Sequence, residues 1–127
     1  MRYLLDTHTF LWFLENSENL SKKALETIKT STDVFVSIAT FWEIAIKQGI
    51  KKLNCEYTAS KMAILCDSLN ISILPILPSH IDTLSELPLI HKDPFDRLLI
   101  AQSQLESMTL ITRDTIIPKY PNVKVLW

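Results

Sequence analysis

Four acids stand where an isolated negative charge is hard to place: Asp6, Glu43, Asp96 and Asp114. Asp6 ends the first apolar run of "MRYLLDTHTFLWFL", where the chain turns polar at "THT" and then apolar again, so it cannot lie far from a core. A carboxylate there costs several kcal/mol unless it is paired or metal-bound. Each acid also has a local explanation. Asp6 can cap the "THTFLWFL" helix, and Glu43 can pair with Lys47 at i,i+4. In "HKDPFDRLL", Asp93 reads as the N-cap ahead of Pro94, with Asp96 near the positive end of the helix dipole. Asp114 can cap the short "TIIPKY" segment. Taken together, the acids form a set that would repel itself in a partly dry pocket, and a hard divalent cation with oxygen ligands is its natural partner. The histidines add no ligand spacing: His8, His80 and His91 make no HExxH motif and no Cys/His array.

The elements that must carry these acids alternate along the chain. "RYLL", "DVFVS", "ISILPI", "MTLIT" and "VKVLW" read as strands. "LSKKALETIKTS", "IATFWEIAIKQGI", "TASKMAILCDSLN", "SHIDTLSEL" and "DPFDRLLIAQSQLES" read as helices, the second of them ending near Gly49. Strands separated by helices predict an α/β sandwich with a mostly parallel sheet. Ligands of such sheets bind beyond the carboxyl ends of the strands. Asp6 and Asp114 follow strands directly, while Glu43 and Asp96 lie in neighbouring helices, so all four can reach one region.

Composition narrows the chemistry. Gly49 is the only glycine, which excludes a P-loop and a GxGxxG nucleotide fold. The net charge of −1 gives no global field that would attract nucleic acid, so any such contact must be local. Nothing reads as a signal peptide or membrane span, and Cys55 and Cys66 stand apart, as expected of buried thiols in a reducing cytoplasm. A phosphatase of the haloacid-dehalogenase type would need a second acid two residues after Asp6, where His8 stands instead. The aromatics Trp12, Phe13, Phe41 and Trp42 fit a core or a dimer surface better than a base-stacking platform.

The segments "LLDTHTFLWFL", "SIATFWEIAIKQGIKKL", "HKDPFDRLLIAQS" and "LITRD", in this order, resemble a PIN-domain ribonuclease of the VapC-like toxin group found in bacterial toxin–antitoxin systems. The resemblance implies a single PIN-like nuclease domain over residues 1–127, built as a three-layer α/β/α sandwich. It implies a metal-dependent endoribonuclease using one or two Mg²⁺ or Mn²⁺ ions held by Asp6, Glu43, Asp96 and Asp114. Thr7, Ser37 and Thr112 match positions that support the acids by hydrogen bonding. An RNA substrate, a cognate antitoxin and a homodimer follow from the same likeness, the aromatic-rich first helix being a candidate dimer surface. From the residues themselves, Arg97 and Arg113 stand directly beside two of the acids, Asp96 and Asp114, and could neutralise them or meet phosphate. His8 stands beside Asp6, and Lys47, Lys51 and Lys52 could form a phosphate-binding rim or merely complement a helix end. The rival reading is a catalytically silent PIN-like module that binds RNA or protein.

Overall fold

The computed structural model describes residues 1–127. Its strands are β1 (Tyr3–Leu5), β2 (Val34–Ser37), β3 (Ile71–Leu74), β4 (Thr109–Ile111) and β5 (Val125–Leu126). Its helices are α1 (Thr7–Glu15), α2 (Lys22–Thr30), α3 (Ile38–Gly49), α4 (Ala59–Ser68), α5 (Pro78–Glu86) and α6 (Pro94–Leu105), with a 3₁₀ turn at Ile117–Lys119. The strands form one sheet in the order β3-β2-β1-β4-β5, and every pairing is parallel. From β1 the chain builds outward through β2 and β3, then crosses back to place β4 and β5 on the other side. The order therefore reverses beside β1, the kind of switch point at which open parallel sheets hold ligands.

Side-chain alternation divides the sheet into two faces. Leu5, Val34, Val36, Ile71 and Ile111 face one core, filled by Phe10 and Leu11 of α1, Ala24 and Ile28 of α2, Phe41 and Ile44 of α3, and Met62 and Cys66 of α4. Leu4, Leu74 and Leu110 face the other, against Leu99 and Ile100 of α6 together with Ile117 and Tyr120. With both faces covered by helices the chain is a three-layer α/β/α sandwich, and its strands are apolar on both sides as a buried parallel sheet requires. No helix is long and apolar enough to cross a membrane.

Helix starts are fixed by side-chain caps. Asp6, Ser21, Ser37, Thr58 and Asp93 each accept a backbone N–H from the first turn of α1, α2, α3, α4 and α6 respectively. α5 begins at Pro78 without such a cap; there the Leu77 N–H donates to Nδ1 of the fully buried His80 at 3.0 Å. α3 does reach Gly49, but the left-handed residue that follows is Lys51, at φ 56°. Asn16, Asn70 and Asn122 also take left-handed φ, and asparagine tolerates that region better than other non-glycine residues.

The register aligns the site. Leu5 pairs with Val36 on one side and with Ile111 on the other. The next residues, Asp6, Ser37 and Thr112, therefore form a row along the carboxyl edge of the sheet. α3 must also present the correct face, with Ile44 fully buried and Ile46 41% exposed. Ile44→Ala is expected to cost about 2–5 kcal/mol in urea unfolding, and Ile46→Ala clearly less. Equal losses would mean that α3 is rotated from this orientation.

Candidate functional site

Asp6, His8, Trp12, Asp96, Arg113 and Asp114 line a cavity of about 250 Å³ at this edge. Three of the four predicted acids thus share one hollow, although they come from the β1–α1 junction, the first turn of α6 and the segment after β4. A larger hollow of about 540 Å³ lies beside β3, but Cys66 and Asp67 are its only ionisable side chains. Burial pushes the Cys66 thiol up to about 11, which makes it unreactive.

Asp6 acts as cap and cavity wall at once. Its Oδ1 accepts the Thr9 N–H at 2.9 Å, and its Oδ2 accepts the Thr112 hydroxyl in a short hydrogen bond. Burial pushes its carboxyl above the ordinary carboxylate range, and the bonds from Thr112 and Thr9 offset only part of that rise. Asp114 is likewise doubly used. Its Oδ1 accepts the N–H groups of Ile116 (2.7 Å) and Ile117 (3.0 Å), and its Oδ2 lies 3.0 Å from His91 Nε2. Burial acts to raise this acid, but the His91 hydrogen bond and the two backbone N–H groups outweigh it and hold the carboxyl below its usual value.

Asp96 has the poorest compensation. Asp93 keeps the cap of α6, accepting the N–H groups of Phe95 and Asp96 at 2.8 and 3.2 Å. Asp96 itself has only one polar side-chain contact, from Oδ2 to His91 Nε2 at 3.2 Å. Burial, followed by the charge of Asp93, pushes its carboxyl up to about 7; Asp6 and Glu43 add to the rise and His91 opposes it. A set of carboxylates in this condition is short of positive charge, and its hard oxygen donors fit a Mg²⁺ or Mn²⁺ ion.

Glu43 does not line the cavity. It is buried, accepting the Thr7 hydroxyl at 2.6 Å on Oε1 and the Lys47 ammonium at 2.8 Å on Oε2. Its influence on the cavity is its charge, felt at Asp96. The i,i+4 pairing expected from sequence is therefore present, and it commits Lys47, which consequently is not a free phosphate contact. Burial works against the charge on Lys47, but the Glu43 bond and charge hold its pKa above the ordinary value.

Other expectations need correction. Thr7 and Thr112 support acids directly, but Ser37 Oγ accepts only the Ala39 N–H, so it positions the helix that carries Glu43 and touches no acid. Arg97 faces away from the cavity, donating to Pro88 O at 2.8 Å and Tyr120 Oη at 3.2 Å, because residues adjacent on a helix do not share a face. Lys51 and Lys52 are exposed beyond the end of α3 and do not line the cavity. Arg113 and His8 do line it, and the Arg113 guanidinium is held 4.5 Å from the Trp12 ring centroid. On α1, Trp12 packs on Trp127 and His8; a partly exposed apolar stripe lies instead along α3 and at its end, formed by Ile38, Trp42, Ile46 and Ile50, with Trp42 also meeting Phe95 edge-on.

One residue was missed. His91, 8% exposed, lies against both Asp96 and Asp114, and one ligand atom from each of the three falls within 4.8 Å of the others. Its only sequence signal is its place two residues before the Asp93 cap.

An acid-lined cavity at the switch point of a parallel three-layer sandwich defines the class of fold and the place of its site. The chain belongs to the PIN domain family, whose profile matches residues 3–123, and this is a family of nucleases. Solved structures resemble it along nearly its whole length. VapBC2 from Rickettsia felis, bound to a DNA fragment from its promoter, has 17% identity and a TM-score of 0.72, covering 99% of this chain and 98% of that one. FitAcB from Neisseria gonorrhoeae has 19% identity and a TM-score of 0.65, covering 98% and 96%. A toxin–antitoxin complex from Klebsiella pneumoniae has 21% identity and a TM-score of 0.64, covering 98% and 96%. At these identities the likeness is one of fold. A search of curated proteins finds no match.

The Asp96 carboxyl makes a directional test possible. Its folded pKa of about 7 lies above the ordinary 3.8. As pH rises through that window the unfolded chain loses its proton first, so metal-free stability falls, and the loss is complete above the folded pKa. Asp96→Asn removes this penalty. The metal-free variant is expected to exceed wild type by about 1–4 kcal/mol near pH 8 and to match it near pH 4, as read by urea unfolding. A loss of stability near pH 8 would make Asp96 a structural residue instead.

Proposed function

We propose that this protein is a metal-dependent endoribonuclease and the toxin of a toxin–antitoxin pair. The observation that carries the reading is the meeting of Asp6, Asp96 and Asp114 in one cavity of a PIN domain. Asp6, Asp96 and Asp114 are the residues that hold one or two Mg²⁺ or Mn²⁺ ions, and Glu43 adds its charge from behind. Bound there, the ion supplies Lewis-acid charge at the scissile phosphate and lowers the pKa of water.

The chain's own residues do the rest. Thr112 and the Thr9 N–H fix the Asp6 carboxylate, and the Ile116 and Ile117 N–H groups fix Asp114, so neither has to reorganise on binding. Arg113, held over Trp12, and His8 face the cavity as contacts for the RNA phosphates. Hydrolysis leaves a 5′-phosphate and a 3′-hydroxyl. Two of the similar folds are VapBC2 and a toxin–antitoxin complex, which supports a cognate antitoxin as partner here. The α3 stripe supports a homodimer: Ile38, Trp42, Ile46 and Ile50 are 40%, 60%, 41% and 57% exposed.

Purified protein is expected to cut a mixed RNA pool with Mg²⁺ or Mn²⁺ and to stop with EDTA. Asp96→Asn should lose more than the roughly 10–100-fold that removing an outer-shell partner costs. Cleavage that survives the substitution would reveal a contaminant, and no cleavage by wild type under any metal would favour a silent binding module. Trp42→Glu is expected to convert the dimer to a folded monomer in sedimentation; a wild-type monomer would dispose of that assembly.

A further inference from the structure

His91 is the one buried group at the cavity to which the proposed function assigns no part. Its backbone is tightly held. The Ile90 and His91 N–H groups donate to Tyr120 Oη at 3.2 and 2.7 Å, and Arg97 donates to the same oxygen while also binding Pro88 O. Tyr120 itself is buried. The ring is fixed at both nitrogens: the Asp93 N–H donates to Nδ1 at 3.1 Å, and Nε2 sits 3.0 Å from Asp114 Oδ2 and 3.2 Å from Asp96 Oδ2.

These contacts decide the tautomer. A backbone amide can only donate, so Nδ1 must carry a lone pair, and in a neutral imidazole the proton then sits on Nε2. That N–H points at Asp114. A nitrogen that ligates a cation needs its lone pair free, which would move the proton to Nδ1 and set it against the Asp93 N–H. His91, Asp96 and Asp114 have the spacing of a metal triad, yet the hydrogen-bond pattern argues against a nitrogen ligand. Asp96 lines the cavity, and its contact with His91 is made through Oδ2.

We propose that His91 is a positioning residue of the cation site: as the Nε2–H tautomer it clamps the Asp114 carboxylate, with Asp96 alongside, and does not itself bind the ion. The inference rests on the cation reading of the same cavity. The segment "HKDPFDR" then works as one device. Asp93 caps α6 through its side chain and sets the His91 tautomer through its N–H. Arg97 anchors the loop from below, and Asp96 projects from the same first turn.

The test combines ¹⁵N NMR of the histidine rings with Mn²⁺ binding followed by EPR. In wild type, with and without Mg²⁺, His91 Nδ1 is expected to appear unprotonated and Nε2 protonated. His91→Phe should weaken Mn²⁺ binding by roughly 10–100-fold. His91→Gln, whose amide N–H can replace the Nε2 donor, should recover most of it. Should the Phe variant not fold, the Gln variant and the wild-type spectra decide. An unprotonated Nε2, or a ¹⁴N coupling to Mn²⁺ that disappears with the ring, would make His91 a ligand and overturn the proposal. Equal Mn²⁺ affinity in wild type and His91→Phe would sink the clamp alone. No Mn²⁺ binding by wild type would sink the proposed function as well.

Discussion

Like charges crowded into a cavity of about 250 Å³ set the terms for the rest of this molecule. Three carboxylates taken partly out of water repel one another, and each must be held by something that outweighs the repulsion. For Asp6 and Asp114 the holding groups are backbone N–H groups at the start of a helix or turn, which need an acceptor in any case. The carboxylate and the fold stabilise each other there, a cap being worth about 1 kcal/mol. Asp96 has no such arrangement, because Asp93 already occupies the cap of α6. The strain of the cavity therefore falls most heavily on Asp96, with Asp6 raised as well.

The sheet makes this crowding possible. Parallel pairing puts the carboxyl ends of β1, β2 and β4 at one edge in register, so Asp6, Ser37 and Thr112 arrive at the same level. That is why Thr112, far from Asp6 in sequence, reaches its carboxylate. Ser37 stands in the same row, but its hydroxyl serves the first turn of α3. The capping requirement of a helix beginning directly after a strand took precedence over contact with an acid.

Much of this could be read from the sequence, and what could not has identifiable causes. Alternating strand and helix patterns predicted a mostly parallel α/β sandwich and Asp93 as the cap of α6, while Asp96 as the acid of the site followed only from the PIN resemblance. For Asp6 and Asp114, local pattern offered cap and site as alternatives, whereas in the structure one carboxylate does both, because its two oxygens have different partners. Glu43 shows the same thing: its pairing with Lys47 is real and removes that lysine from any phosphate rim. Arg97 misled because adjacency in sequence was taken for adjacency in space. His91 escaped notice because Asp114, 23 residues away, arrives from beyond β4. No spacing motif encodes a contact made by tertiary structure.

The acids of the cavity also differ from one another in a way that bears on their chemistry. Asp114 is held below its ordinary pKa and Asp96 is pushed up to about 7, although both touch the same imidazole nitrogen. The difference has two sides: burial and the charge of Asp93 act on Asp96, while the His91 hydrogen bond and two backbone donors hold Asp114. Near neutral pH one carboxylate is therefore a settled anion, while its neighbour retains a proton for part of the time. A proton on Asp96 relieves the same repulsion that a divalent cation would relieve, so a cation bound as proposed would have to compete with that proton. A cavity built from three equally solvated acids would lack that competition. Burial and unequal capping within one short stretch of sheet edge are sufficient to create it.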